Sequence, residues 1–439
     1  MLLAYQLRIA WKSLRRNPVL SSLLVVGIAL GIAVATTFVT AYYLMGKNPL
    51  PGKSEMLHFV QIDAWNPDSE WDSDRPEEPP NQLTFRDATA LLASDVPARQ
   101  TVNFRASLTV HPADDAKRPF RAETRVCTAD FFTMFEVPFA HGGPWSPAAD
   151  GVAEPVVVLD HATNLRLFGG ENSVGQSVRI EDREFTVTGV LAPWRPTVKF
   201  YDTNNNDLGP PEEIYVPFSL TRPMEIESTG NSQGWKFYAG NEFEDFLQSE
   251  TIWLQMWVEL PDHERRETYE AYLAAYVGEQ KALGRHERPL NNRLRTLTEW
   301  LEHEEVVPDE AKTLLIVGLL FLVVCSVNLI GILLGKFLAR APEVGVRRAL
   351  GASRRSVFVQ HLLECELIGI LGGTAGLGLS WVALQLINRM FAGVDFDLQI
   401  DLAMVGAAFA LSLFAGLLAG IYPSWRVCRV APATYLKLQ

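Results

Sequence analysis

The chain has 439 residues, 48% of them hydrophobic, and a formal net charge of −12. The acidic balance excludes a basic nucleic-acid-binding protein. The apolar residues are gathered into a few runs, which excludes an ordinary soluble globular chain.

Four runs contain no Asp, Glu, Lys or Arg: Val19 to Gly46, Thr313 to Gly335, Leu367 to Asn388 and Leu402 to Trp425. A helix needs roughly 20 apolar residues to cross a bilayer core, and each run has that length. The expected fold class is a membrane protein with four transmembrane α-helices, one then three, and a large α+β extracytoplasmic domain between the first and second.

In chain order, residues 1–18 form an amphipathic helix, with Leu7, Ala10, Trp11 and Leu14 on one face and Arg8, Lys12, Arg15 and Arg16 around them. Residues 19–46 are too long for a signal-peptide core and are taken as a retained anchor helix. The domain at 47–311 mixes strands and helices. Strands are expected at Met56–Asp63, Thr101–Val110, Phe120–Val126, Pro155–Leu159, Ile214–Pro217 and Ile252–Leu260, with a hairpin of Ser177–Ile180 and Glu184–Val190. Helices are expected at Thr84–Ser94 with Thr84 as N-cap, at Ala129–Phe135, after Asp160 up to Gly169-Gly170, and from Asp262 to about Leu283. Two lobes are expected, the central one at about 145–235, and the Glu-rich stretch to Glu305 should lead a helix straight into the second crossing. Residues 63–80, rich in acids and prolines, read as an exposed loop. Asp202, Asn204, Asn206 and Glu213 fall at calcium-loop positions, but Asp207 stands where a glycine is needed, so a solvated polar loop is expected. The second to fourth crossings fall at 312–336, 367–388 and 402–425, separated by 337–366 and 389–401 and followed by a tail at 426–439.

The charges set the orientation. Residues 1–18, 336–366 and 426–439 carry 13 basic residues and only three acids, Glu343, Glu364 and Glu366, whereas the rest of the chain nets −22. Basic residues stay on the cytoplasmic side of short loops, which places both termini and 337–366 in the cytoplasm. The large domain and the short turn with Asp395 and Asp397 then lie outside. Tyr42, Tyr43, Tyr422 and Trp425 sit where interfacial aromatics belong. The four cysteines, Cys127, Cys325, Cys365 and Cys428, are too dispersed for a disulfide framework or a metal site.

Small-xxx-small pairs recur in every run: Gly27/Gly31, Gly331/Gly335, Gly369/Gly373 with Gly372/Gly376, and Gly416/Gly420. They allow close helix packing, and at least one pair is expected at a contact between chains. The chain has no phosphate-binding loop: Gly331 to Lys336 is followed by Phe337 and ends a membrane run. It has neither a nucleophile elbow nor a zinc-protease helix motif. His303, between Glu302 and Glu304, is taken as part of a solvated helical face. No charge lies inside the runs to serve as an ion relay.

Residues 343–356, from Glu343-Val344-Gly345 through Arg347-Arg348 and Leu350-Gly351 to Arg354-Arg355, have the form of a short coupling helix with apolar Val344, Val346, Ala349 and Leu350. Residues 343–378, which continue this segment through Ser356-Val357-Phe358-Val359-Gln360-His361-Leu362-Leu363-Glu364-Cys365-Glu366 into the Gly-rich start of the third run, closely resemble the cytoplasmic signature of the FtsX/MacB-type ABC transporter permeases. Asp130–Pro138 with Gly142-Gly143 resembles an external element of that family. Val156–Leu191, with Leu167-Phe168-Gly169-Gly170, Val174-Gly175 and Val187-Thr188-Gly189-Val190, resembles its central lobe, and Tyr422-Pro423 to Pro432 resembles its tail. The resemblance implies a non-catalytic permease subunit of the bacterial inner membrane, of the type VII mechanotransmission class. Two copies of an ABC ATPase would hold ATP and Mg, and this chain would bind no cofactor or metal itself. Fused-ATPase members carry the ATPase in the same chain, whereas these residues begin with the membrane portion, so a separate ATPase is expected. The resemblance also implies a second permease chain, identical or related, and membrane lipids, with a periplasmic adaptor or outer-membrane channel as further partners and no nucleic acid. Export of an antibiotic, peptide, siderophore or lipoprotein is the leading expectation. A transducer that regulates a periplasmic partner without transport is the alternative.

Overall fold

A computed structural model of the chain describes residues 2–113, 118–196, 198–205, 209–238, 240–390 and 402–429. Most of the expected 389–401 turn, the tail from residue 430, and Asn206 and Asp207 lie outside the described residues. The chain divides into two compact units, Met1–Lys47 with Val307–Gln439, and Asn48–Val306.

The chain begins with α1 (Leu2–Arg16) and α2 (Pro18–Met45), where Pro18 opens the helix at a position that needs no N–H. The second unit follows with β1 (Leu57–Gln61), β2 (Leu83–Thr84), α3 (Phe85–Leu91), β3 (Arg99–His111) and β4 (Phe120–Cys127). Then come α4 (Asp130–Met134), β5 (Phe139–Gly142), α5 (Pro147–Val152), β6 (Val156–Leu159), α6 (His161–Phe168), β7 (Ser177–Ile180) and β8 (Arg183–Leu191). The unit closes with β9 (Ile214–Pro217), α7 (Phe243–Leu247), β10 (Ile252–Glu259), α8 (His263–Ala282), β11 (Arg293–Thr296) and α9 (Leu297–His303). The chain then forms α10 (Asp309–Leu338), α11 (Ala341–Ala349), α12 (Arg354–Met390) and α13 (Leu402–Cys428).

Local signals place most of these elements. Thr84, Asp160 and Asp262 cap α3, α6 and α8, each accepting a backbone N–H three residues on, from Asp87, Thr163 and Arg265, at 3.1, 2.7 and 2.8 Å. Gly169 ends α6 at φ 71°, a left-handed turn that suits glycine. The expected helix leading straight into the second crossing is corrected: α9 stops at His303, Glu305 takes φ 50°, and Pro308 precedes α10. The short elements β5, α5, α7 and β11 have no periodicity long enough to announce them.

The strands make one 11-stranded sheet, ordered β11-β1-β10-β3-β4-β9-β6-β8-β5, with β2 on β10 and β7 beside β3 and β8. The pairs β4/β9 and β6/β8 are parallel and the others antiparallel. The strands of the expected central lobe, β6 to β9, belong to this same sheet. Both faces are covered, so neighbouring residues enter opposite cores. Val60, Ile214, Met256 and Val258 join Phe104, Trp253, Leu273 and Tyr276 on one face. Phe59, Tyr215 and Trp257 join Phe131, Phe132, Phe135, Trp145 and Trp300 on the other, where Phe59 stacks on Trp300 at 3.8 Å. Each such burial contributes about 1.5–3 kcal/mol. Gly142, at φ 65°, lies against Thr188 O, and a Cβ on Gly189 would meet Gly143 O at 2.5 Å, so the β5–β8 approach requires glycine at both positions.

The Asp202–Glu213 loop is corrected. Asp202 and Glu212 are buried, not solvated, and both bind Arg125 of β4, at 2.7 and 2.5 Å. Asn103 accepts from the same guanidinium at 3.1 Å, and Tyr201 donates to Glu212 at 3.0 Å. Of the calcium-pattern residues, Asp202 is thus taken up by a guanidinium. Glu213 accepts the Glu123 N–H at 2.9 Å. Residues 63–80 hold no strand or helix, yet they are fastened: Arg288 binds Asp63, Arg295 binds Glu78, and the Trp71 indole donates to Gln233. His303 leaves its expected solvated face to pack at 5.7 Å on Trp300, with Glu78 3.7 Å away.

A second buried network joins α3 to the end of α8. Asp87 accepts from Tyr276 at 2.6 Å, from Arg285 at 2.9 Å and from Thr84 at 2.7 Å, with His286 at 3.3 Å. Ligand atoms of Asp87, Glu250 and His286 lie within 4.8 Å of one another, a spacing a metal could use. The Arg285 guanidinium already sits between the two carboxylates, 2.7 Å from Glu250, so the cation of this cluster is the arginine.

These carboxylates set the acid response. Burial opposes the charge of Glu212, but Arg125 and Lys199 outweigh it and hold the carboxyl at about 2, below its usual 4.5. Its contribution is present above pH 4.5 and is lost as pH falls toward about 2. Burial pushes Asp150 the other way, up to about 6, against hydrogen bonds from the Ala129 N–H and the Trp145 indole. Its charge therefore costs stability at neutral pH, a cost relieved as pH falls below about 6. Burial holds His303 down to about 4, below its usual 6.5, so stability is also lost as pH falls below 6.5, against the relief at Asp150. The two offset each other between pH 6 and 5, and the expected unfolding midpoint of this unit drops most steeply below pH 4.5. A midpoint series by tryptophan fluorescence checks this, and a steady fall from pH 7 downward contradicts it.

In the other unit, α2, α10, α12 and α13 are long and apolar enough to cross a membrane. They pack where side chains are small. A Cβ on Gly372 or Gly376 of α12 would strike Ile28 or Ile32 of α2 at 2.6 and 2.8 Å. One on Gly373 would meet Ser412 at 2.6 Å, on Gly420 Cys365 at 2.6 Å, on Gly369 Ser412 O at 3.0 Å, and on Gly416 Glu366 at 3.2 Å. Gly31 and Gly27 face Leu322 and Leu329 of α10 at 3.0 and 3.4 Å. Thr37 and Ser380 share a buried hydrogen bond of 3.0 Å between α2 and α12. The four cysteines are free.

Candidate functional site

The basic segment after α10 is a helical hairpin. Pro342 opens α11, and Gly351, at φ 102°, ends it, with its N–H on Arg348 O and that of Ala352 on Arg347 O. Ser353 Oγ accepts the Ser356 N–H at 3.1 Å and starts α12. The single expected unit at 343–356 is therefore two elements: Glu343 to Arg348 lie on α11, Leu350 and Gly351 in the turn, and Arg354 and Arg355 on α12. The helix of the third crossing begins three turns before its uncharged run, because Arg354 to Glu366 continue the same helix.

Burial and partners within the chain sort the expected coupling residues into two groups, with the exposed Glu343 placed by its ion pair. Val344 and Gly345 turn inward, Arg348 donates to Cys428 O at 3.2 Å, and Glu343 binds Arg16 of α1 at 2.7 Å. Val346, Arg347, Ala349, Leu350, Arg354 and Arg355 face outward, with Leu350 84% exposed. The second group makes one apolar and basic tip, suited to a protein partner with a greasy notch and acidic rim.

Behind the tip lies an ionic cluster whose members the sequence places only at loop ends. Lys336 lies in the last turn of α10 and Arg340 four residues on, at the start of α11, while His361 and Glu364 are one turn apart on α12. Lys336 Nζ lies 2.6 Å from Glu364, both side chains buried. Ser13 of α1 donates to Glu364 at 2.5 Å and accepts from Arg340. The spacing of His361 and Glu364 is a legible signal that could have found part of the cluster, since side chains three apart share a helix face. Gly331 and Gly335 differ from the other expected pairs: a Cβ added at either would meet nothing within 4 Å among the described residues.

Residues 21–276 match the family model of the MacB-like periplasmic core domain, and residues 315–432 match the FtsX-like permease C-terminal model. The chain is 24% identical over 345 residues to the macrolide export ATP-binding/permease protein MacB of Syntrophobacter fumaroxidans, covering 71% of this chain and 47% of the relative. It is 25% identical over 310 residues to the pyoverdine export ATP-binding/permease protein PvdT of Pseudomonas aeruginosa, covering 71% and 41%. Against MacB of Salmonella paratyphi A the identity is 24% over 431 residues, covering 98% and 60%. The chain thus spans about half the length of the curated relatives it matches. The periplasmic region of MacB from Actinobacillus actinomycetemcomitans aligns with 58% of this chain and 95% of that one, at 16% identity and a TM-score of 0.37. With a MacB-like periplasmic core domain and an FtsX-like permease segment in one multi-pass chain, this protein belongs to the FtsX/MacB-type family of ABC transporter permeases.

Proposed function

We propose that the chain is the permease subunit of an ATP-driven exporter working by mechanotransmission. A separate ABC ATPase, in two copies with ATP and Mg, drives it from the cytoplasm. The observation that carries this reading is the outward tip of Val346, Ala349 and Leu350 flanked by Arg347, Arg354 and Arg355. An apolar tip ringed by arginines fits a protein contact better than a solvated turn. Closure of the ATPases would displace α11 and the start of α12, and the chain leads from there through α10 and α2 into the outer unit. The net-basic segments orient both termini to the cytoplasm. Gly331 and Gly335 border a groove of about 540 Å³ that also includes Leu20 and Arg16, which supports close approach by a second permease chain. The substrate belongs to the periplasmic side, and the size of the 48–306 unit favours an exporter over a transducer, which needs only a small outer domain.

The test is co-purification of the full chain with ABC ATPases from the same genome, with native mass spectrometry of the complex. Leu350→Glu with Arg354→Glu alters only exposed side chains, so the bundle should fold, and ATPase recovery should fall at least tenfold. Unchanged recovery with these substitutions rejects the tip as the coupling contact.

A further inference from the structure

A cavity of about 290 Å³ lies between α1, α11 and α12, next to the tip, with which it shares Arg347. Lys12, Arg16, Arg340 and Arg347 line it, against the two carboxylates of Glu343 and Glu364. Both carboxylates are already engaged. Glu343 holds Arg16 at 2.7 Å, and Glu364 holds Lys336 at 2.6 Å from behind the wall. Among the described residues, neither Lys12 nor Arg347 has a carboxylate within ion-pair distance, and Arg347 donates only to Gln360 at 3.3 Å. The cavity is therefore left with an excess of positive charge.

One further side chain points to an occupant. His361 is 4% exposed and lines the cavity, yet its Nδ1 has no hydrogen-bond partner, the nearest carboxylate oxygen being 4.0 Å away on Glu364. A buried ring nitrogen without a partner costs free energy unless something fills the space beside it. The surroundings select what that is. The wall is formed by an amphipathic helix whose Trp11 remains 41% exposed, next to the first residues of a membrane-spanning helix. A group held there sits at headgroup depth.

We infer that this cavity is a phosphate-binding site that takes the headgroup of an anionic phospholipid, the phosphate lying among Lys12, Arg340, Arg347 and His361. Phosphate suits the site because guanidinium and ammonium groups converge on it from α1, α11 and the link before α11, and its oxygens can accept from an imidazole N–H of α12. The lipid would tie α1 to the coupling hairpin, so that the hairpin moves with the membrane surface helix.

The test is native mass spectrometry of the full chain released from nanodiscs of phosphatidylglycerol mixed with phosphatidylcholine. One phosphatidylglycerol per chain is expected to survive release. Lys12→Gln with Arg347→Gln should weaken its retention roughly thirtyfold, at about a factor of five per basic side chain. Lys12→Arg with Arg347→Lys should keep it, which separates charge from misfolding. Competition by millimolar inorganic phosphate, with phosphatidylglycerol and phosphatidylcholine retained alike, assigns the site to free phosphate and overturns the lipid reading. Equal retention of the two lipids without phosphate competition overturns the site altogether. The Leu350→Glu chain should keep the lipid while losing the ATPase; loss of ATPase but not of lipid in the Lys12→Gln/Arg347→Gln chain would make these residues a protein contact and overturn the inference.

Discussion

Arg125→Ala is expected to destabilise the 48–306 unit by roughly 3–5 kcal/mol, the cost of leaving a buried ionic partner uncompensated. Arg125 is fully buried and holds Asp202 and Glu212 at 2.7 and 2.5 Å. Lys199, at 3.4 Å from Glu212, would remain, but no described cation other than Arg125 is paired with Asp202. The surviving carboxylates would have to take up protons or draw in water. The loss should therefore shrink in Arg125→Met/Asp202→Asn/Glu212→Gln, where charge and partner leave together. Denaturant unfolding of the full chain in detergent, followed by tryptophan emission, measures both. Trp257 reports directly, since its indole donates to Tyr201 O at 3.3 Å, next to the network. A triple variant as unstable as the single one would mean that Arg125 acts through packing and not through charge.

Asp87→Ala should cost a similar amount, roughly 3–5 kcal/mol. Asp87 is fully buried, and four side chains converge on it: Tyr276, Arg285, Thr84 and His286. Burial works against its charge, but His286 and Arg285 together drive its carboxyl far below the ordinary range. The substitution would also free the Thr84 hydroxyl of α3 and loosen the clasp between α3 and the end of α8. Asp87→Asn should cost less, since an amide still accepts from Tyr276. Because Arg285 fills the place between Asp87 and Glu250, chelators should leave the melting temperature of the wild type unchanged. A chelator-sensitive melting temperature would show that a metal, and not the guanidinium, is the cation of this cluster.

The two networks also mark where sequence reading stops. The acidic stretch after Tyr201 reads as a solvated loop because composition counts charges without their partners. Its counter-charge, Arg125, lies 77 residues before Asp202 and 87 before Glu212, on β4. Arg285 and Asp87 are 198 residues apart. The cluster around Glu364 likewise joins three helices, one of them 351 residues away at Ser13. The sorting of 343–356 into an inward group and an outward tip needs α1 and α13 in place, since Arg16 and Cys428 O hold Glu343 and Arg348.

What could be read directly was local or set by the solvent. Four spans follow from length alone, because a bilayer offers backbone groups no water and accepts only long apolar helices. The caps at Thr84, Asp160 and Asp262 lie three residues from the N–H groups they satisfy, within reach of any sequence window. The segment 343–378 carried the family resemblance for the same reason: its residues are contiguous. The order of the sheet, the partners of the buried charges, and the cavity behind the 341–356 hairpin belong to the tertiary structure. They depend on side chains brought together from distant parts of the chain, and a charge's energy is set by what surrounds it in space and not by its neighbours in sequence.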